Sequence, residues 1–279
     1  MINTFPQWVK KRVGFSDEYF ETKALIEKYS LHTVCKEARC PNVYECFKKK
    51  YASFLILGPV CTRNCRFCSV KKGNVLPPDE TEPDRIADAV KILGLKYVVI
   101  TSVTRDDLPD GGAEHFSISV KKIRAKNPGT KIELLIPDFK GDVKSLQIVF
   151  ESKPDVLSHN LETVPRLYPS LRGDADYKTS LNVLYLSKNA GFVTKSSIMV
   201  GLGEKEEESI GVMRDLRSAG CDFLVIGQYL QSQKDNLPVV EFIAPETFEY
   251  YKQTGESMGF KKVFSGTFYR SSYLAHTMI

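Results

Sequence analysis

Residues 53–70 read SFLILGPVCTRNCRFCSV. Residues 53–58 form an apolar run without polar alternation, the pattern of a strand buried on both faces. At Gly58-Pro59 the run breaks into a polar loop that carries Cys61, Cys65 and Cys68 in C-x3-C-x2-C spacing. A strand that delivers such a loop at its carboxyl end is the repeating unit of parallel α/β folds, where chemistry gathers at that end of the sheet.

The same unit recurs along the chain. Strand-like runs occupy 53–58, 96–102, 131–137, 155–159, 194–201 and 222–229. Helical segments lie between them at 84–94, 113–126, 176–190 and 205–219, and a further one follows at 245–258. Pro83 and Pro245 stand at helix starts, and Gly94, Gly191, Gly220 and Gly259 at helix stops, the expected asymmetry. Strands alternating with helices predict an α/β protein with a parallel sheet. Pattern alone leaves an open doubly wound sheet and a partial barrel both standing. Polar or glycine-rich residues follow all six runs, which predicts one large site at one face.

The 279 residues suit a single α/β barrel. No apolar run approaches the roughly 20 residues that cross a bilayer, and no secretion signal is visible, so a cytoplasmic setting without membrane attachment is expected. The net charge is +5, spread over small lysine groups interleaved with acids. That argues against a nucleic-acid partner and suits an acidic protein partner better. Seven cysteines is an odd count. It speaks for reduced thiols rather than a disulfide framework.

Six of the seven form two triplets. In the second, three thiolates in a polar loop leave one ligand position unfilled. Structural zinc wants four ligands, whereas a cubane cluster keeps its fourth iron free when three cysteines hold it. The first triplet, Cys35, Cys40 and Cys46, has C-x4-C-x5-C spacing and also lacks a fourth cysteine. It reads as a second cluster. Cys221, beside Gly220 at the start of the sixth strand, reads as core packing.

The second loop, with Phe67 before its last cysteine, resembles the radical S-adenosylmethionine superfamily. The two triplets in this order, with LHTVCKEARCPN (31–42), LKYVVITSVTRDDLPDGGA (95–113), LLIPDFKG (134–141), SHNLETVPRLYP (158–169), MVGLGE (199–204), IGQYLQ (226–231) and RSSY (270–273), resemble the lipoyl synthase family through nearly the whole chain. The resemblance implies a partial (β/α)6 TIM-type barrel over 51–240. An N-terminal extension, 1–50, carries the first triplet. A C-terminal helix and tail, 241–279, returns over the open face.

It further implies a sulfurtransferase that inserts two sulfur atoms at C6 and C8 of an octanoyl chain on a lysine of a lipoyl domain or glycine-cleavage H protein. Cys61, Cys65 and Cys68 would hold a [4Fe–4S] cluster whose open iron binds S-adenosylmethionine. One electron from that cluster cleaves the cofactor. Cys35, Cys40 and Cys46, completed by Ser272, would hold an auxiliary [4Fe–4S] cluster that is consumed as sulfur donor. An alkoxide is a hard, mismatched ligand for such a cluster, which suits one that is dismantled. A reduced ferredoxin or flavodoxin as electron donor and an Fe–S assembly or carrier protein are the other implied partners.

For the cofactor, Phe67, Ser102, Asn160, Glu162, Gly201 and Gly203 are the candidate contacts. Asn160 and Glu162 offer an amide and a carboxylate to ribose hydroxyls, although Asn and Glu also suit a helix start. His159 reads as structural. Departures from the family pattern are Ser197, Pro59, Phe47 and the stretch 232–236; the last three are expected to stay clear of the ligands. A biotin synthase relative, and a non-catalytic electron-transfer protein, remain the alternatives.

Overall fold

The structure, a computed structural model, describes residues 5–278. An N-terminal section holds helix α1 (Asp17–Lys28), a two-residue strand β1 (His32–Thr33) and short helices α2 (Val34–Glu37) and α3 (Val43–Lys48). Strand β2 (Ser53–Ile56) opens the main sheet, and a ribbon of β3 (Val60–Cys61) and β4 (Lys71–Lys72) follows it. Next come α4 (Glu82–Leu93), β5 (Tyr97–Ser102), α5 (Ala113–Lys126), β6 (Lys131–Leu135), α6 (Val143–Glu151) and β7 (Val156–Ser158). Then follow α7 (Tyr168–Leu171), α8 (Tyr177–Asn189), β8 (Val193–Val200), α9 (Glu206–Ser218), β9 (Phe223–Gln228), α10 (Pro245–Ser257) and β10 (Lys262–Gly266).

The main sheet has the order β1-β2-β5-β6-β7-β8-β9-β10. Only β1 runs antiparallel to its neighbour. The six expected strands are β2 and β5 to β9, in sequential parallel order. β10 extends the sheet beyond them in five-residue parallel register with β9. The segment after residue 240 therefore adds a sixth helix–strand unit, whose strand is the seventh parallel strand of the barrel wall.

Both faces of the strands are covered, which explains their continuous apolar runs. Along β5, Val98 and Ile100 pack into the large cluster with α4 and α5, while Tyr97 and Val99 face inward to Ala275. Along β9, Leu224 and Ile226 face α9 and α10, while Phe223 and Val225 meet Met278. Cys221 is fully buried in the same outer cluster, as expected. On the inward face Lys195 of β8 reaches across β7 to pair with Glu133 of β6. The C-terminal tail thus goes further than a cover over the open face. It descends into the lumen, with Ala275 against Tyr97 and Met278 against Phe223.

At the amino end of the strands Asp222 ties several elements together. It accepts from the Thr194 amide (3.0 Å) and pairs with Lys188 (2.7 Å) and Lys261 (3.0 Å). Burial alone would raise its carboxyl, but the Lys188 and Thr194 hydrogen bonds and Lys261 outweigh that and hold it low. A lowered folded value contributes stability above the ordinary aspartate value of about 4, which is lost as pH falls through the lowered one. Asp222→Asn is expected to cost about 1–3 kcal/mol at pH 7. In urea unfolding, that difference should shrink toward pH 3. An unchanged gap would contradict it.

Candidate active site

The loop from Cys61 to Cys68 leaves β2 at the carboxyl face and is clamped in place by Arg63. This guanidinium, 4% exposed, bonds Asp106 through Nε (2.7 Å) and Nη2 (3.0 Å), and Asp138 through Nη1 and Nη2 (both 2.7 Å). Two bidentate pairs thus join the loop to the segments after β5 and β6. On the other side the Asn236 amide donates to the carbonyls of Arg66 (3.2 Å) and Cys68 (3.1 Å). The stretch 232–236 was expected to stay clear of the ligands. It instead supports one, because the chain after β9 folds back onto this loop.

Backbone N–H groups of Arg63 (3.4 Å) and Thr104 (3.3 Å) donate to the Cys61 sulfur. Burial pushes the Cys68 thiol up to about 12, and the charges of Cys65 and Cys61 add to the shift. Cys65 is likewise raised by burial, against the pull of Arg172. The three thiols lie near enough for their charges to act on one another, although among the described residues no three side chains are drawn together as for a single metal ion. Groups of this kind release their protons when a metal binds.

The first triplet is built by α2, α3 and the turn between them. The Cys40 amide donates to the Cys35 carbonyl (3.0 Å) and the Cys46 amide to the Asn42 carbonyl (2.9 Å). Burial, then the Cys40 charge, pushes the Cys35 thiol up to about 12. Cys46 is raised by burial and by both partners. The tail is stitched to this section. Asn42 Nδ2 donates to the Phe268 carbonyl (2.7 Å), Tyr273 Oη donates to Glu45 (2.9 Å), and the Tyr51 and His276 rings stack at 4.5 Å.

A cavity of about 500 Å³ joins these parts, a size suited to a small-molecule site. Its wall includes Cys35, Cys40, Cys46, Cys68 and Ser272, and also Phe67, Ser102, Asn160 and Glu162. Cys61 and Cys65 are not part of that wall. Glu162 sits in the left-handed region at φ 68°, where a residue other than glycine is strained. That turn is fixed by its amide donating to the Ser197 carbonyl (3.0 Å) and by the Met199 amide donating back (2.8 Å). Asn160 Nδ2 donates to Glu162 Oε1 (3.1 Å). Burial raises the Glu162 carboxyl, with Arg172 opposing. Arg172 Nη1 supports the turn from behind through the carbonyls of Asn160 (3.0 Å) and Leu161 (3.3 Å).

Three cavity-lining polar atoms, Ser102 Oγ, Asn160 Oδ1 and Ser271 Oγ, are buried without a hydrogen-bond partner among the described residues. Such groups call for a ligand, since buried polar atoms are otherwise paired. His159 Nδ1 bonds the Ile136 carbonyl (2.8 Å), and burial pulls its pKa down to about 4, in keeping with a structural residue.

Gly201 and Gly203 are not on the cavity wall. A side chain at Gly201 would strike Gln228 and the Glu241 carbonyl, so its bareness serves packing within the chain. Arg63, Arg172 and Asn236 escaped the sequence reading. Arg63 lies inside the cysteine loop, Arg172 just past the 158–169 block and Asn236 at the end of the 232–236 stretch, but nothing in those positions names their partners.

Residues 55–224 match the Radical SAM superfamily. Among solved structures, methylornithine synthase superposes with a TM-score of 0.59 at 16% identity, covering 90% of this chain and 76% of its own. Streptococcus suis SuiB bound to S-adenosylmethionine gives 0.61 at 14%, covering 91% and 56%. These likenesses establish the fold. The lipoyl synthase of Caldicellulosiruptor saccharolyticus is 56% identical over 272 residues, 97% of this chain and 95% of its own. That of Aquifex aeolicus is 54% identical over 267 residues, 95% and 97%. The chain belongs to the lipoyl synthase family within the radical S-adenosylmethionine superfamily.

Proposed function

We propose that this chain inserts two sulfur atoms, at C6 and C8, into an octanoyl group on a lysine of a carrier protein, and that its two cysteine triplets divide the work. Cys61, Cys65 and Cys68 hold a [4Fe–4S] cluster, and Ser102, Asn160 and Glu162 receive S-adenosylmethionine beside it. Bound together, cluster and cofactor supply the one-electron cleavage that removes an unactivated hydrogen. Cys35, Cys40 and Cys46, with Ser272, hold the auxiliary [4Fe–4S] cluster that supplies sulfur.

The residues fit these groups. Soft, partly buried thiols grouped in threes suit an iron cluster, and the unpaired oxygens of Ser102 and Asn160 suit a polar cofactor. The observation that supports the reading most is that the whole first triplet, Cys68 of the second and Ser272 line one cavity. The substrate carbon must meet the radical source and the sulfur source in turn without release, and a shared cavity permits that. Leu135, Met199 and Tyr229 give the wall apolar area for an acyl chain and keep water out. The carrier is a lipoyl domain or H protein, the reductant a ferredoxin or flavodoxin, and an Fe–S carrier rebuilds the auxiliary cluster.

The test is anaerobic incubation of the reconstituted chain with an octanoyl-lysyl peptide, dithionite and S-adenosylmethionine. Mass spectrometry should show a gain of two sulfurs, as the dithiol formed under the reductant. An unchanged peptide beside an intact auxiliary cluster would refute the reading.

A further inference from the structure

Barrel interiors are ordinarily filled by layered branched apolar side chains. This lumen holds, beside apolar contacts such as Val99–Ala275 and Val225–Met278, a buried polar network. Glu133 on β6 and Lys195 on β8 are 0% and 1% exposed and form an ion pair. Tyr97 Oη donates to Glu133 Oε2 (2.5 Å) and Ser158 Oγ to Oε1 (2.8 Å). A buried ion pair is a weak stability device, since apolar residues of similar volume often do as well or better. Its presence here asks for another role.

The network has one bond that leaves the barrel wall. Lys195 Nζ donates to the carbonyl of Ser271 (2.8 Å), the residue before Ser272. From the adjacent strand β9, Gly227 admits the same tail: any side chain there would strike the Tyr269 carbonyl and crowd the Arg270 guanidinium. The tail is therefore held against the inner face of the neighbouring strands β8 and β9, directly beside the serine that reaches the cavity.

We propose that Lys195, oriented by Glu133 and Tyr97, is a positioning residue that fixes the 271–272 peptide and so aims the Ser272 hydroxyl at Cys35, Cys40 and Cys46. This rests on the reading of Ser272 as a cluster ligand. The N-terminal section supplies three ligands, and the barrel lumen sets where the fourth stands.

The test compares the full chain with Lys195→Met, with Lys195→Met/Glu133→Gln, which leaves no unpaired charge, and with Ser272→Ala. In the metal-free proteins, amide hydrogen exchange over 268–276 should quicken about tenfold or more in both Lys195 variants. The strands should keep wild-type protection in the double variant. After anaerobic reconstitution in a background with Cys61, Cys65 and Cys68 changed to alanine, the remaining cluster of the double variant should give the Mössbauer spectrum of Ser272→Ala. Wild-type exchange of the tail in the double variant, or equal loss of protection in strands and tail, would overturn the proposal. So would a wild-type spectrum in that variant where Ser272→Ala differs. If Ser272→Ala itself keeps the wild-type spectrum, the ligand reading fails, while tail exchange still reports on Lys195.

Discussion

Cys65→Ala is expected to lower S-adenosylmethionine cleavage by a factor of at least about a thousand, roughly 4 kcal/mol of barrier. Two cysteines cannot hold a cubane with one free iron, so both electron delivery and cofactor chelation go together. The fold should survive. The loop's shape rests on Arg63 with its two aspartates and on Asn236 against the Cys68 carbonyl, none of which Cys65 provides. The unfolding temperature of the metal-free variant should stay within about 4 °C of wild type. Chromatography of 5′-deoxyadenosine released under dithionite measures the effect. Near-normal release would remove the second triplet from its proposed role.

Cys46→Ala should separate the two triplets. Sulfur-inserted product is expected to fall about a hundredfold or more, roughly 3 kcal/mol. Cofactor cleavage should persist, now without productive outcome. Cys46 lies on α3, whose contacts run to the tail through Tyr273–Glu45 and Asn42–Phe268. The 61–68 loop is held by other segments, so its cluster should load normally. Iron should drop from about eight to about four per chain. Product formed at the wild-type rate would show that the first triplet is not the sulfur source.

Much of the barrel was legible because its strands are buried on both faces and its helices end at glycine. The strand bounds of β5, β8 and β9 follow directly from their apolar runs. β10 was not visible: Val263 and Phe264 are flanked by lysines and polar residues, and an edge strand needs no longer apolar run. α6 was missed although Asp142 caps it through the Ser145 amide (2.8 Å). β1 is two residues long and has no period to read.

The amino-acid sequence by itself determined the chemistry available: two thiol triplets, each one ligand short, and a loop delivered at the carboxyl end of a strand. Local spacing carries that information, because cluster ligation depends on residue type and short chain separations. Tertiary structure alone decided which distant groups serve them. Arg63 finds Asp138, Arg172 finds the Asn160 turn, Asn236 finds Cys68, and Lys195 finds Ser271. These contacts follow from sheet register and from a tail that enters the barrel. Each joins separate segments across the folded chain, where no periodicity links the partners.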